Sequence, residues 1–507
     1  MRTRKAGSWK IKPGIAVPIK KGFLMKYFRS WFLWILFIMF VSLIVQPVFA
    51  GTSDWDSDQI DQFVQTQMTA ARIPGLALVI TQNGEVVYLK AFGSDGRGAY
   101  LTPQTPMLLG SLSKSFTALA VMQLAEDGLV DLDAPISDYI PGFSNIDLQQ
   151  SKQITVRHLL NQTSGMNDLG YPASLTNFST LAERVNSLKT AVPNAEAGTI
   201  FQYFNPNYSV LGFLVEQVSG QPYGNYMQKR VFNPLSMQQA SAYPSQVQNL
   251  AQGHTLFLGA PRTLEQEMPL SEVSAGFIVV SAQDMGTYLL AQAGRMEAVI
   301  SVQSLKEMHT RPKGIDSPYA MGWFVESHNG VDVISHTGDL QSFHAYAALL
   351  PEQDIQFAYL INQNGLLPSL ITFPPLRNGL LDILTGLQPG RSVSTNLINI
   401  ILVVVIFYSL IRDMKRYLNI PVWAKSVKDH PKKQVIINIA LEFIIPIALF
   451  VFIPFLMQVI SGRKYSWNLL YQFAPDLTLW LFVGIAISLS RGFRKTLTYL
   501  RTQQESE

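Results

Sequence analysis

Four long apolar runs decide how this chain can be built. One lies near the N-terminus, "WFLWILFIMFVSLIV" (31–45). Three fill the last quarter: "VSTNLINIILVVVIFYSLI" (393–411), "VIINIALEFIIPIALFVFIPFLMQVI" (435–460) and "LLYQFAPDLTLWLFVGIAISL" (469–489). Each of these three is long enough to cross about 30 Å of hydrocarbon. They predict an α-helical membrane domain of three spans over 389–507 and confine the water-exposed part of the chain to about 51–388. The N-terminal run follows Lys20, Lys21, Lys26 and Arg29 and ends in "QPVFAG". Residues 1–50 therefore read as a signal sequence cleaved after Ala50, or as a retained anchor. Met25 offers a second possible start.

Charge follows the same division. Residues 1–30 hold nine Lys/Arg and no Asp/Glu; residues 51–390 hold 16 against 29; residues 391–507 hold 14 against 6. The middle is acidic, which leaves no basic face for nucleic acid. The loop between the first two C-terminal runs carries Arg412, Lys415, Arg416, Lys425, Lys428, Lys432 and Lys433, and the tail carries Arg491, Arg494, Lys495 and Arg501. The positive-inside bias places both in the cytoplasm and the acidic domain outside, as the signal sequence independently requires. The expected location is the bacterial plasma membrane with an extracytoplasmic domain. Glu442 and Asp476 fall within the second and third runs, and ionisable groups at membrane depth are functional candidates or helix-pairing residues. With no cysteine in the chain, disulfides, thiolate metal sites and a thiol nucleophile are excluded.

The acidic region alternates short β-like runs with longer helical ones. "LALVITQNGEVVYLKAFG" (76–93) reads as two strands turned at Asn83-Gly84, "VDVISHTG" (331–338) and "QFAYLINQNG" (356–365) as further strands, and "FTALAVMQLAEDG" (116–128) as a helix closed by glycine. Strands at both ends with helices between predict one α+β domain, its sheet built from both ends of the segment. "LQPGRSVSTN" (387–396) reads as the linker to the first span.

Three polar clusters stand out. In "GSLSKSFTAL" (110–119), Ser111 opens the first helix and Lys114 lies one turn on, on the same face. A serine hydroxyl attacks well only when a base takes its proton, and a lysine serves when burial or nearby cations favour its neutral form. The same S-x-x-K spacing recurs by chance at Ser461 to Lys464. In "FQYFNPNYSVLG" (201–212), Tyr203 and Asn205 share a face of an extended approach to a helix starting near Pro206. A competing Y-x-N, Tyr223 to Asn225, sits in what reads as a turn and an exposed helix, so Tyr203 is preferred. In "ISHTGDL" (334–340), His336, Thr337 and Gly338 end a strand where small residues let a substrate lie close, and a backbone N–H there can join that of Ser111 as an oxyanion hole. The histidines form no H-E-x-x-H or other close pair, so neither a metal nor a cofactor is expected.

S-x-x-K, Y-x-N and H-T-G, in that order and 92 and then 133 residues apart, resemble the serine β-lactamase-related hydrolases, specifically the class C branch with D,D-peptidases, D-aminopeptidases and esterases. "TVRHLLNQTSG" (155–165), "FNPLSM" (232–237), "SAGFIVVSAQDM" (274–285) and "YAMGWFV" (319–325) are similar too, and the resemblance covers residues 55–388. It implies a β-lactamase/transpeptidase-like two-lobed fold, with an antiparallel sheet packed with helices, a helical lobe and the site between them. It also implies Ser111 as the acylated nucleophile, Lys114 as its proton acceptor, Tyr203 as proton shuttle, and Asn205, His336, Thr337 and Gly338 as substrate-binding residues. The backbone N–H groups of Ser111 and Asp339 would form the oxyanion hole. His336 stands where many relatives carry lysine, and a mostly neutral histidine weakens recognition of a β-lactam carboxylate. Asp339 stands where relatives often carry a small residue, so its carboxylate points outward or meets a substrate amine.

The layout is similar to membrane peptidases that remove N-acyl-D-amino-acid caps and to penicillin-binding-like proteins. The expectation is a membrane-anchored serine hydrolase for amides of peptide-like, D-amino-acid-containing or N-acylated small molecules, with the lipid bilayer as its other partner. A cell-wall D,D-peptidase, β-lactamase or esterase is the alternative within the chemistry, and a non-catalytic sensor or scaffold for wall fragments the alternative outside it.

Overall fold

A computed structural model describes residues 55–171, 180–296, 299–390, 395–427, 430–461 and 466–504. The expected signal sequence and Lys464 of the chance S-x-x-K pair lie outside them, as does part of the linker. The first hairpin is β1 (Gly75–Gln82) and β2 (Glu85–Gly93). Its turn is made by Asn83 and Gly84, both at positive φ, which is why that dipeptide occupies the position. Short strands β3 (Met107–Leu108), β4 (His254–Phe257), β5 (Ala260–Thr263) and β6 (Val279–Val280) form two small ladders, β3 with β6 and β4 with β5. The chain then returns as β7 (Tyr319–Ala320), β8 (Trp323–His328), β9 (Val331–Asp339), β10 (His344–Leu350) and β11 (Ile355–Ile361).

The main sheet has seven strands in the order β2-β1-β11-β10-β9-β8-β7, every pair antiparallel. The hairpin and the final strand thus come from opposite ends of the domain, as the sequence predicts. Both faces are covered, so β10 and β11 are buried along their whole length. Ala77 and Val79 of β1 point into one core, while Leu76, Leu78 and Ile80 point into the other. Each fully buried aliphatic side chain of this kind contributes about 2 kcal/mol.

On the outer face lie helix α1 (Ser57–Ala71) and, further along the chain, the helix Phe373–Leu384. The larger core on the inner face surrounds α2 (Ser113–Glu126), which is buried from Ser113 to Leu124. Helices α3 (Asn205–Ser219) and α4 (Ala282–Gln292) pack there too. The stacked rings of Phe116 and Tyr288, 3.7 Å apart, join α2 to α4. The outer-face helix Phe373–Leu384 is α5.

Among the described residues, three helices are long and apolar enough to cross a membrane: α6 (Thr395–Leu418), α7 (Lys432–Ser461) and α8 (Pro475–Gln504). The third apolar run is not one helix. It breaks at Ala474, between a short helix Trp467–Phe473 and α8, because Pro475 lacks the N–H to continue a helix but suits a first turn. Helix α8 packs against both others, and Trp480 Nε1 donates to Ser409 Oγ of α6 at 2.7 Å.

The two ionisable residues noted in the runs both have partners. Glu442 of α7 binds Arg491 at 2.6 Å and Lys495 at 2.7 Å, both on α8, and accepts from Ser488 Oγ at 3.0 Å. Asp476 accepts the backbone N–H of Leu258, at the β4–β5 turn, at 3.2 Å. Thr255 Oγ1 donates to Gln472 O at 3.3 Å, and Thr372 and Thr395 hydroxyls meet at 2.9 Å. The N-terminal ends of α6 and α8 therefore abut the α+β domain. Arg416 and Arg501 occupy the opposite ends of the same helices.

Candidate active site

Ser111 sits in a 3-10 turn, Gly110–Leu112, that leads directly into α2. The turn presses on the end of β9. A Cβ on Gly338 would lie 1.7 Å from the Leu109 carbonyl oxygen, and one on Gly110 would lie 2.6 Å from the Asp339 nitrogen. Gly110 also has φ +56, which favours glycine. Two bare backbones thus touch, and the Asp339 N–H is brought beside the turn that carries the serine.

Lys114 is wholly buried. Its Nζ donates to Ser111 Oγ at 3.1 Å and to the Ala275 carbonyl at 2.6 Å. The rings of Tyr203 and Tyr208 lie 5.0 and 5.8 Å from it, close enough for cation–π attraction. Behind it, Glu272 forms a buried ion pair with Arg184 at 2.5 Å. Burial pushes the Glu272 carboxyl above its usual range, while the charges of Arg184 and Lys114 pull it back.

Tyr203 precedes α3, whose N-cap Phe204 is extended and whose second position is Pro206. Asn205 opens the helix, and its carboxamide oxygen is buried without a hydrogen bond from the protein among the described residues. The competing Tyr223 begins a short helix, Tyr223–Met227, but that helix is not the exposed one expected. Tyr223 and Tyr226 are buried, and the Tyr223 hydroxyl meets Thr117 Oγ1 at 2.7 Å behind the nucleophile helix.

His336 and Gly338 point to the inner face of β9. His336 is buried, with its ring 6.3 Å from that of Tyr203 and 5.3 Å from that of Phe324. Its Nδ1 donates to the Thr337 carbonyl at 2.6 Å, and its Nε2 lies 3.3 Å from the Tyr319 hydroxyl. The pleat sends Thr337 and Asp339 to the outer face, where Thr337 pairs across the ladder with Tyr346 and lines a pocket with Asp339, His344 and Arg377. The Asp339 carboxylate accepts from His344 Nδ1 at 2.8 Å and Asn364 Nδ2 at 2.9 Å. It is therefore turned away from the inner face that carries His336 and Gly338.

The family model of Beta-lactamase matches residues 60–373. The chain belongs to that family. Within it, "Protein flp" of Staphylococcus aureus (strain MW2) is 28% identical over 319 residues, 61% of this chain and 63% of the relative. "Putative penicillin-binding protein PbpX" of Bacillus subtilis (strain 168) is 30% identical over 269 residues, 52% of this chain and 65% of the relative. The match thus spans less than two thirds of these curated relatives. Among solved structures, an octameric penicillin-binding protein homologue from Pyrococcus abyssi superposes with TM-score 0.57 at 29% identity, covering 67% of this chain and 79% of that one. A class C beta lactamase superposes with TM-score 0.54 at 21% identity, covering 64% and 96%, a likeness of fold.

Sequence reasoning assigned no role to Tyr319, Glu272, Arg184 or Ala275. Tyr319, Glu272 and Ala275 lie in or beside phrases that resemble the family. Their contacts with His336 and Lys114 arise only when the sheet closes on α2. Among the described residues, no group of three or more metal-ligating side chains occurs.

Proposed function

We propose that this chain is a membrane-anchored serine hydrolase that forms an acyl-enzyme at Ser111. The observation that carries the reading is the 3.1 Å contact between a wholly buried Lys114 amine and the Ser111 hydroxyl. Burial disfavours the charged form of an amine, which suits Lys114 to accept a proton. Ser111 Oγ attacks the substrate carbonyl carbon as its proton passes to Lys114. The new oxyanion is received by the backbone N–H groups of Ser111 and Asp339. Tyr203, in contact with the Lys114 head group, relays a proton to the leaving nitrogen as the C–N bond breaks. Water, deprotonated by the same pair, then cleaves the acyl ester and restores Ser111.

The Asn205 carboxamide oxygen, left without a protein donor, binds an N–H of the acyl part of the substrate. That favours peptide-like amides, in keeping with relatives whose names refer to penicillin binding and, in one solved neighbour of the same fold, to D-alanine carboxypeptidase. In this reading the three apolar helices lie in the bacterial plasma membrane, with their lysine- and arginine-bearing ends in the cytoplasm and the hydrolase domain outside. An N-acyl chain on the substrate would partition into the adjacent bilayer at about 0.8 kcal/mol per buried CH₂.

The test is active-site labelling of the full chain. A fluorophosphonate labels the wild type and not Ser111→Ala, and mass spectrometry after incubation with N-acyl-D-peptides, esters and β-lactams finds the retained acyl group on Ser111. Labelling of neither protein would instead identify a non-catalytic binding domain.

A further inference from the structure

Tyr319 is wholly buried and edge-on to three rings of the site. Its centroid lies 5.7 Å from His336, 5.8 Å from Tyr203 and 4.8 Å from Phe324. Burial raises its phenol well above the ordinary value, so the hydroxyl keeps its proton. The geometry of His336 then fixes which nitrogen carries hydrogen. The Thr337 carbonyl, 2.6 Å from Nδ1, can only accept, so Nδ1 is the N–H. Nε2, 3.3 Å from the Tyr319 oxygen, is either a lone pair sharing the phenol proton with the Tyr208 oxygen, which also faces Tyr319, or the second N–H of an imidazolium.

The surroundings favour the lone pair. The titratable groups that face this region are Lys114 from α2, Tyr203 on the approach to α3, Tyr208 from α3 and Tyr319 from β7. The neighbours on β10 and β8 are Ala347, paired with His336 across the ladder, and Phe324, and neither titrates. Glu272 lies near Lys114 and is committed to Arg184, and the Asp339 carboxylate is held on the opposite face by His344 and Asn364. An imidazolium here would be a cation buried inside an aromatic box, with the Glu272 and Asp339 carboxylates both engaged elsewhere.

We propose that Tyr319 locks His336 as the neutral, Nδ1-protonated tautomer, so that the leaving-group side of the cleft is uncharged and selects substrates without a carboxylate next to the scissile bond. This rests on the hydrolase reading above, because Tyr203, the proton donor to the leaving group, lies on the same side as His336. Tyr319 is a positioning residue that acts through His336. The substrates it selects are amides or esters whose leaving part is neutral at the first residue, such as a carboxamide-capped peptide.

The experiment uses the full chain in detergent micelles, labelled with ¹⁵N-histidine, with the His336 signals identified by their loss in His336→Gln. Between about pH 5 and 8, the wild type is expected to show the neutral Nδ1–H pattern throughout. Tyr319→Phe, the same ring without the donor, is expected to titrate within that range. It should also gain about tenfold at pH 5 in kcat/KM for a free-carboxylate amide relative to its carboxamide twin. A wild-type His336 that titrates like the variant, or that shows the Nε2–H pattern, overturns the proposal. If Tyr319→Phe does not fold, the wild-type spectrum decides alone. The nitrogen shifts require no turnover, so failure here is separate from failure of Ser111 to be labelled.

Discussion

A methyl group on Gly338 would place its carbon 1.7 Å from the carbonyl oxygen of Leu109, one residue before the turn that carries Ser111. Gly338→Ala must therefore push β9 away from the nucleophile, and the Asp339 N–H moves with it. Loss of one oxyanion donor typically costs about 100- to 1,000-fold in rate. The acylation rate measured with a fluorophosphonate should fall by that order. A variant within a few-fold of wild type would show that Asp339 N–H does not receive the oxyanion.

Lys114→Met keeps the length of the side chain and removes its proton-accepting nitrogen. Acylation of Ser111 should fall by about 10³, within the usual range for a lost general base. Stability should fall by only about 1–2 kcal/mol, the loss of the amine's hydrogen bonds to Ser111 and to the Ala275 carbonyl. Stopped-flow labelling and thermal unfolding separate the two effects. A large drop in unfolding temperature with normal acylation would reverse the assignment.

The Asp339 carboxylate ties β9 to His344 of β10 and to Asn364 just after β11. Asp339→Ala removes both bonds. Because its side chain is 43% exposed, water offsets much of the loss, and about 1 kcal/mol of destabilisation is expected. The catalytic effect should appear in kcat more than in KM if the backbone N–H acts on the developing oxyanion, as proposed. Denaturant melts and steady-state kinetics on one preparation test both statements.

Glu442 holds Arg491 and Lys495 between α7 and α8. Glu442→Gln leaves two cations without their counter-charge, a loss of about 3 kcal/mol for a buried pair. The variant should unfold at lower temperature in detergent. Adding Arg491→Met should recover part of the loss, and a purely additive double variant would show that the two groups are not coupled.

Burial holds the His309 imidazole down to about 4, against an unfolded value of 6.5. The sign follows from proton counting. Between these values the unfolded chain binds more protons, so stability is complete above about pH 6.5 and is lost as pH falls toward 4. The residue keeps some contact with the cleft it lines beside Gln292 and Arg295, so the loss is about 2 kcal/mol rather than the full shift. Burial lowers His158 and His254 as well, which adds to the same slope. His309→Gln should flatten the pH dependence of unfolding measured from about pH 4.5 to 7.5.

What was legible in the sequence was local. Asn83-Gly84 announced its hairpin because few other pairs tolerate two positive φ angles, and Ser111 with Lys114 needed only one helical turn to meet. The break inside the third apolar run is not legible because hydropathy continues through Pro475, where the helix does not. The Tyr223 helix reads as exposed because its short polar spacing hides a tyrosine that reaches back to Thr117. Lys114 and the Ala275 carbonyl are 161 residues apart, and no spacing rule foretells such a meeting. Tyr319 is the same kind of omission: its phrase carried the family likeness, but its contact with His336 exists only across the closed sheet.

Asn364 grips Asp339 and the Leu340 carbonyl, and the next residue, Gly365, rests against the carbonyl of Phe473, two positions before α8 begins. With the apolar helices in a bilayer, as proposed above, that short bridge would set the height of Ser111 above the lipid. Encounter would then become a search over an area instead of a volume, and molecules that travel along the surface would arrive far more often than equally abundant ones in bulk water.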